Sequence, residues 1–204
     1  VSIVQVKICG LTRPEDVRCV AECGADLAGF ILYEKSKRYV SPARIRELVR
    51  LLPAATTKVG VVVNASVEFA REALEVGGLD LIQFCGDESA DVVAAVPRAW
   101  RAVGLVDEEA VRLAVGLPGE AVLVDSIGDG AHGGTGRRCN WRLAGLLAAQ
   151  RSVVLAGGLH PDNVAEAVRQ VRPFAVDVAS GVESAPGIKN HAKIRAFVHN
   201  ARKA

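Results

Sequence analysis

Eight times along this chain a short run rich in Val, Ile and Leu gives way to an amphipathic stretch, about every 25 residues. The runs are IVQVKIC, DLAGFIL, KVGVVV, LDLIQF, RAWRAVGLV, EAVLVD, SVVLAGG and FAVDVAS. Each is followed by a helical pattern, from PEDVRCVAEC near the start to KNHAKIRAFVHNARKA at the end. Short continuous apolar runs suit strands buried on both faces. Strict alternation with helices implies a parallel sheet with crossover connections. Eight units predict a closed (β/α)8, or TIM, barrel, read here as one α/β domain over residues 1–204 with no linker or composition break. Ser41 followed by Pro42 marks one helix start, an N-cap and a proline at the first helical position.

Composition agrees with that fold and excludes several function classes. Half of the residues are hydrophobic but only 4% are aromatic, so Val, Ala and Leu fill the core. Twenty-five basic against 23 acidic residues leave a formal net charge of +2. That balance argues against nucleic acid or an anionic membrane as partner. No apolar run reaches the length of a bilayer span and no signal-peptide pattern is visible, so a cytoplasmic protein is expected. The five cysteines, Cys9, Cys19, Cys23, Cys85 and Cys139, are odd in number and form no CxxC pair. They read as free thiols in a reducing compartment, and no metal set is evident.

In such barrels chemistry gathers at the C-terminal ends of the strands. The residues expected there are Cys9 and Gly10, the loop EKSKRYV, Asn64, Cys85 and Gly86, Asp125, Gly157 and Gly158, and Asp177 to Gly181. The loops AGGLHPDN and ASGVE follow strands seven and eight, where unpaired backbone N–H groups commonly cradle a phosphate. Asp125 ends the apolar strand VLVDS, as a general acid or as a carboxylate that caps a helix or pairs with an arginine. Asp177 is placed to share its pocket, and two close carboxylates resist ionising together. Cys9 is either core filler or a thiol base; Lys7 faces the same way and would lower its pKa. Arg38, in a basic loop overhanging the mouth, offers a planar fork for a carboxylate. The glycine-rich segment between residues 126 and 140 is long for this fold and reads as a lid.

Taken together, KICGLT with PEDV, GADLAGFILYEKSKRYVSP, VLVDS with GGTGRRCNW, LAGGLHPDNV and FAVDVASGVESAPGIK resemble the phosphoribosylanthranilate isomerases of tryptophan biosynthesis. The resemblance runs from the first strand to the last helix. It implies a barrel that needs no metal or organic cofactor, takes a small phosphorylated substrate, and performs an Amadori rearrangement as a monomer or homodimer. It implies Asp125 as general acid, Cys9 as general base, Arg38 as the holder of the anthranilate group, and Asp177 as a second pocket aspartate. Gly157, Gly158, Ser180 and Gly181 match the phosphate cradle; Lys7 and Cys85 complete the substrate-facing set. One departure stands out: family members usually carry histidine in the Q-L-H-G motif after strand four, and this chain reads IQFCG, with Cys85 there. Two other readings remain open. One is the histidine-pathway sugar isomerase, which would want a carboxylate at Cys9 and a second phosphate cradle in the first half of the barrel. The other is a catalytically silent barrel that binds a phosphorylated metabolite.

Overall fold

Every strand of the alternation forms, and the first pairs with the last. A computed structural model describes residues 4–126 and 138–204. Its strands are β1 (Gln5–Ile8), β2 (Leu27–Ile31), β3 (Thr57–Val62), β4 (Leu81–Phe84), β5 (Ala99–Val103), β6 (Ala121–Val124), β7 (Val153–Leu155) and β8 (Ala175–Val178). They close in sequence order into a parallel barrel, with β1 bonded to both β2 and β8. The helices between them are α1 (Pro14–Glu22), α2 (Pro42–Val49), α3 (Val67–Gly77), α4 (Ala90–Ala94), α5 (Glu108–Val115), α6 (Trp141–Ala148) and α7 (Val164–Val171), and α8 (His191–Arg202) follows β8. No helix among the described residues is long and apolar enough to cross a membrane.

Side-chain alternation sorts each strand into two cores. Leu27, Val59, Leu81, Trp100, Leu123, Val154 and Ala175 point into the barrel and fill its interior. Their neighbours, among them Val6, Ile8, Phe30, Ile82, Phe84, Val122, Leu155 and Val176, face outward against the helices. Burial on both faces explains why the strands read as unbroken apolar runs. Local chemistry starts the helices. The side chains of Ser41, Ser66, Ser89, Asp107, Asn140 and Asn190 each accept a hydrogen bond from a backbone N–H of the first turn.

The segment after β8 does more than the sequence pattern indicated. A 3-10 turn at Ser180–Val182 leads into a small antiparallel hairpin, β9 (Glu183–Ala185) with β10 (Ile188–Lys189). Its turn contains Pro186 and Gly187, with Gly187 at φ 79°. Thr12 donates from its hydroxyl to the Gly187 carbonyl (2.6 Å), and the Lys189 N–H donates to Asp16 (3.2 Å). The hairpin is thus tied to the loop after β1 and to α1.

At the opposite end of the barrel, Arg151 stitches α5 to the start of β7. Its Nη1 donates to the carbonyls of Ala114, Val115 and Leu117 at 3.0, 3.2 and 2.8 Å, and its Nη2 to Gly119 at 3.0 Å. These include carbonyls at the end of α5 that helical bonding leaves open. Arg151→Ala is expected to cost about 2 kcal/mol, the scale of lost charged hydrogen bonds to partly buried carbonyls. Urea unfolding measures it, and a midpoint within error of the wild type would show the staple to be redundant.

Candidate active site

The interior of the barrel changes character toward the C-terminal ends of the strands. Below lie Leu, Val and Trp; above lie Lys7, Gln83 and Asp177, all buried. Lys7 and Asp177 are register partners across the closing seam of β1 and β8. The Lys7 ammonium donates to Asp177 at 3.1 Å and is 0% exposed. Burial alone would lower this lysine, but Asp177 and the Cys9 neighbour outweigh it and hold the ammonium above its ordinary pKa.

Cys9 stands one residue past β1, on the same face as Lys7, and is buried. Its thiol was expected to be lowered by Lys7. The structure reverses the sign: desolvation is the largest influence and pushes the thiol up, while Lys7 pulls down and Asp177 partly cancels that pull. The lysine, wholly buried, is also too deep to line an open mouth and meet the substrate directly. Across from Cys9, Gly29 has no side chain; a Cβ there would lie 2.8 Å from the Cys9 sulfur. The thiol occupies that space.

Asp125 follows β6. Its N–H bonds to the Val103 carbonyl (3.0 Å), and its Oδ1 accepts from the Ser126 N–H at 2.6 Å. Asp125 and Asp177 line one cleft together with Gly157, Gly158, Ser180 and Gly181. The two carboxylates do share a pocket, yet Asp177 is answered by the Lys7 ammonium instead of standing as an unpaired second acid. Gly157 and Gly158 take positive φ, 76° and 65°, a conformation favouring glycine. Their N–H groups, and those of Ser180 and Gly181, donate to no protein acceptor among the described residues. The Asn163 side chain braces this turn by donating to the Gly158 carbonyl (2.9 Å) and accepting from His160 N (2.8 Å). Gly181 lets the two loops close up, since a Cβ there would come within 2.0 Å of the Leu159 carbonyl oxygen.

On the far side of the mouth, Cys85 is half-buried after β4, and the Gln83 amide contacts its sulfur at 3.2 Å. Desolvation pushes the Cys85 thiol up to about 12, so it is neutral over the physiological range. The other end of the Gln83 amide, Oε1, is buried with no partner among the described residues. Asn64, also expected at the mouth, has structural work: its Oδ1 accepts from Asp87 N (2.7 Å) and it adopts φ 52°. Cys19 on α1 and Cys23 at its C-terminal cap pack one turn apart, their sulfurs 3.9 Å apart, and all five cysteines are free.

Arg38 is the one member of the basic loop turned inward; Lys35 and Lys37 stay exposed. The turn from Tyr33 to Val40 is held by Ser36, whose hydroxyl accepts from the Arg38 N–H (3.1 Å). The Arg38 stem crosses Gly10, where φ is 74° and a Cβ would sit 2.6 Å from Arg38 Cδ. Its guanidinium is bound by Glu183 of the β9–β10 hairpin, Nε to Oε1 at 2.8 Å and Nη2 to Oε2 at 2.7 Å. Glu183 was not singled out from the sequence. The one available signal was a glutamate ahead of a Pro-Gly turn and followed by Lys189, which also binds it at 2.9 Å. Of the lid expected between residues 126 and 140, residues 127–137 lie outside the described residues.

Gly29→Ala is expected to displace the Cys9 sulfur and cut turnover at least tenfold, with a smaller loss of thermal stability, since the clash is with a side chain at the barrel mouth. Steady-state kinetics beside a thermal melt decide it; undiminished turnover would mean that the thiol's position does not matter.

Comparison with known proteins agrees with this geometry. The family model described as N-(5'-phosphoribosyl)anthranilate isomerase matches residues 6–200. A relative of that name from Geobacter sp. (strain M21) is 41% identical over 202 residues, covering 98% of this chain and 99% of its own. One from Pseudomonas aeruginosa (strain LESB58) is 45% identical over 202 residues, with 98% and 95% covered. A crystal structure of phosphoribosyl anthranilate isomerase, in complex with reduced 1-(o-carboxyphenylamino)-1-deoxyribulose 5-phosphate, superposes with a TM-score of 0.87 at 36% identity, covering 99% of this chain and all of that one. With the family model spanning nearly the whole barrel and relatives matched end to end, the chain belongs to the N-(5'-phosphoribosyl)anthranilate isomerase family.

Proposed function

We propose that this isomerase of tryptophan biosynthesis converts N-(5'-phosphoribosyl)anthranilate to 1-(2-carboxyphenylamino)-1-deoxyribulose 5-phosphate, with Asp125 as general acid and Cys9 as general base. The observation that carries this reading is the shared cleft: Asp125 opens onto the same space as the N–H groups of Gly157, Gly158, Ser180 and Gly181, which have no protein acceptor among the described residues. A sugar phosphate anchored by its phosphate there brings its ring within reach of that carboxyl. Asp125 donates its proton to the furanose ring oxygen; the C1′–O bond breaks and the nitrogen lone pair forms the Schiff base. Cys9 as thiolate then takes the C2′ proton, leaving an enolamine. Tautomerisation to the ketose returns a proton to C1′, so the reaction neither gains nor loses atoms. Arg38 holds the anthranilate carboxylate.

The rival sugar isomerase finds less support. The cavity in the first half of the mouth is lined by Tyr33, Tyr39, Phe69 and Pro42 among others, with no glycine in its lining to make an anion cradle. Cys85, neutral and partnered by Gln83, occupies the usual histidine position without placing a second charge at the mouth.

Cys9→Ser and Asp125→Asn are each expected to lower kcat by about two to four orders of magnitude while changing substrate binding less. Loss of anthranilate fluorescence on turnover reads this directly, and near-wild-type rates in either variant would overturn the assignment. Because desolvation raises the Cys9 thiol, its base form grows as pH rises through that elevated value. The kcat/KM profile should therefore climb on a limb above the ordinary thiol range. Cys9→Asp should move that limb to acid pH; a limb that stays in place in the variant belongs to another group.

A further inference from the structure

Glu183 lies outside the proton-transfer machinery, yet it is buried beside it with both carboxylate oxygens hydrogen-bonded. Its Oε1 accepts from Arg38 Nε (2.8 Å), Lys189 Nζ (2.9 Å) and the Gly187 N–H (3.2 Å); its Oε2 accepts from Arg38 Nη2 (2.7 Å). Lys189 is fixed in turn by the Ala179 carbonyl at 3.0 Å, and the backbone carbonyl of Glu183 takes the Lys193 ammonium at 3.1 Å. Burial would raise this carboxyl, but the Arg38 bond and the Lys189 charge outweigh it and hold it below the usual carboxylate range. It is therefore a rigid anion on a hairpin clamped to α1 and to the loop after β1.

A guanidinium has two edges that can each grip a carboxylate with parallel hydrogen bonds. One is formed by Nε and Nη2, the other by Nη1 and Nη2. Glu183 occupies the first edge of Arg38 completely. The second edge, with both Nη1 hydrogens, has no partner among the described residues, and the side chain keeps 15% exposure. We infer that Glu183 is a positioning residue: it clamps the side edge of Arg38 so that the end edge is aimed in advance at the aromatic carboxylate of the substrate. This deepens the isomerase reading and rests on it. Without the clamp, an arginine stem with several rotatable bonds would have to be ordered by the substrate itself, at a cost to affinity. The chemical step at Cys9 and Asp125, and the phosphate cradle, do not use Glu183.

The test is steady-state kinetics of wild type, Glu183→Gln, Arg38→Ala and the double variant, with inorganic phosphate as competitive inhibitor. Glu183→Gln is expected to raise KM about tenfold, with kcat within about threefold and the phosphate inhibition constant unchanged. In the Arg38→Ala background it should add no further rise in KM, because it acts through that arginine. Where Glu183→Gln fails to fold, Glu183→Asp carries the same test, since it keeps a charge facing Lys189 and withdraws one methylene of reach. An unmoved KM in an active, folded variant overturns the inference, as does a rise in KM that adds fully to that of Arg38→Ala. Weakened phosphate inhibition would also overturn it, by showing a general loss of structure at the mouth. A wild type without turnover removes the isomerase reading and this inference with it; an active wild type beside an unmoved variant removes the inference alone.

Discussion

The ion pair between Lys7 and Asp177 sets the conditions for everything above it. It lies where the barrel closes, between register partners on the first and last strands, with the lysine wholly out of water. A charge so placed is costly unless answered, and breaking such a pair commonly costs about 3–5 kcal/mol because the remaining charge is stranded. The pair therefore does two jobs at once. It fixes β1 against β8, and it separates an apolar barrel interior from a polar mouth. Cys9 stands one alternation above Lys7, and Ser180 and Gly181 begin just beyond the strand that carries Asp177.

That arrangement also decides the electrostatics of the thiol. A lysine beside a cysteine ordinarily favours the thiolate. Here much of the lysine's field is spent on Asp177, and desolvation of the thiol outweighs what is left. Burial holds the thiol pKa up, and the sulfur is packed into the space that Gly29 leaves open. Near the same mouth, positive charge is supplied by Arg38, and the hairpin carboxylate Glu183 decides which way that charge faces.

Much of this was legible before any coordinates. Alternation of apolar and amphipathic segments implied a parallel sheet covered on both faces, and the count of eight units pointed to a closed barrel over an open sheet. Ser41 with Pro42 marked one helix start by the chemistry of its own side chain. Cys9, Asp125, Asp177 and the paired glycines were found by asking which residues end strands, because strand ends in this fold converge. Glu183 and Lys189 escaped that question. They lie beyond β8, in a hairpin whose position depends on contacts with Thr12 and Asp16, 170 or so residues away in sequence.

The sequence by itself determined which residues lie on strands, which face each side chain takes, and which groups reach the C-terminal end. Periods of two and of about 3.6 residues are local properties of the backbone and need no knowledge of the rest of the chain. Only the tertiary structure decided how those groups act on one another. Whether Lys7 lowers the Cys9 thiol depends on Asp177, across the closing seam, and on how much water burial removes. Which edge of Arg38 is free depends on Glu183, brought to it from the other end of the chain. Charge and solvent exclusion act through space, so they are set only once the barrel has closed.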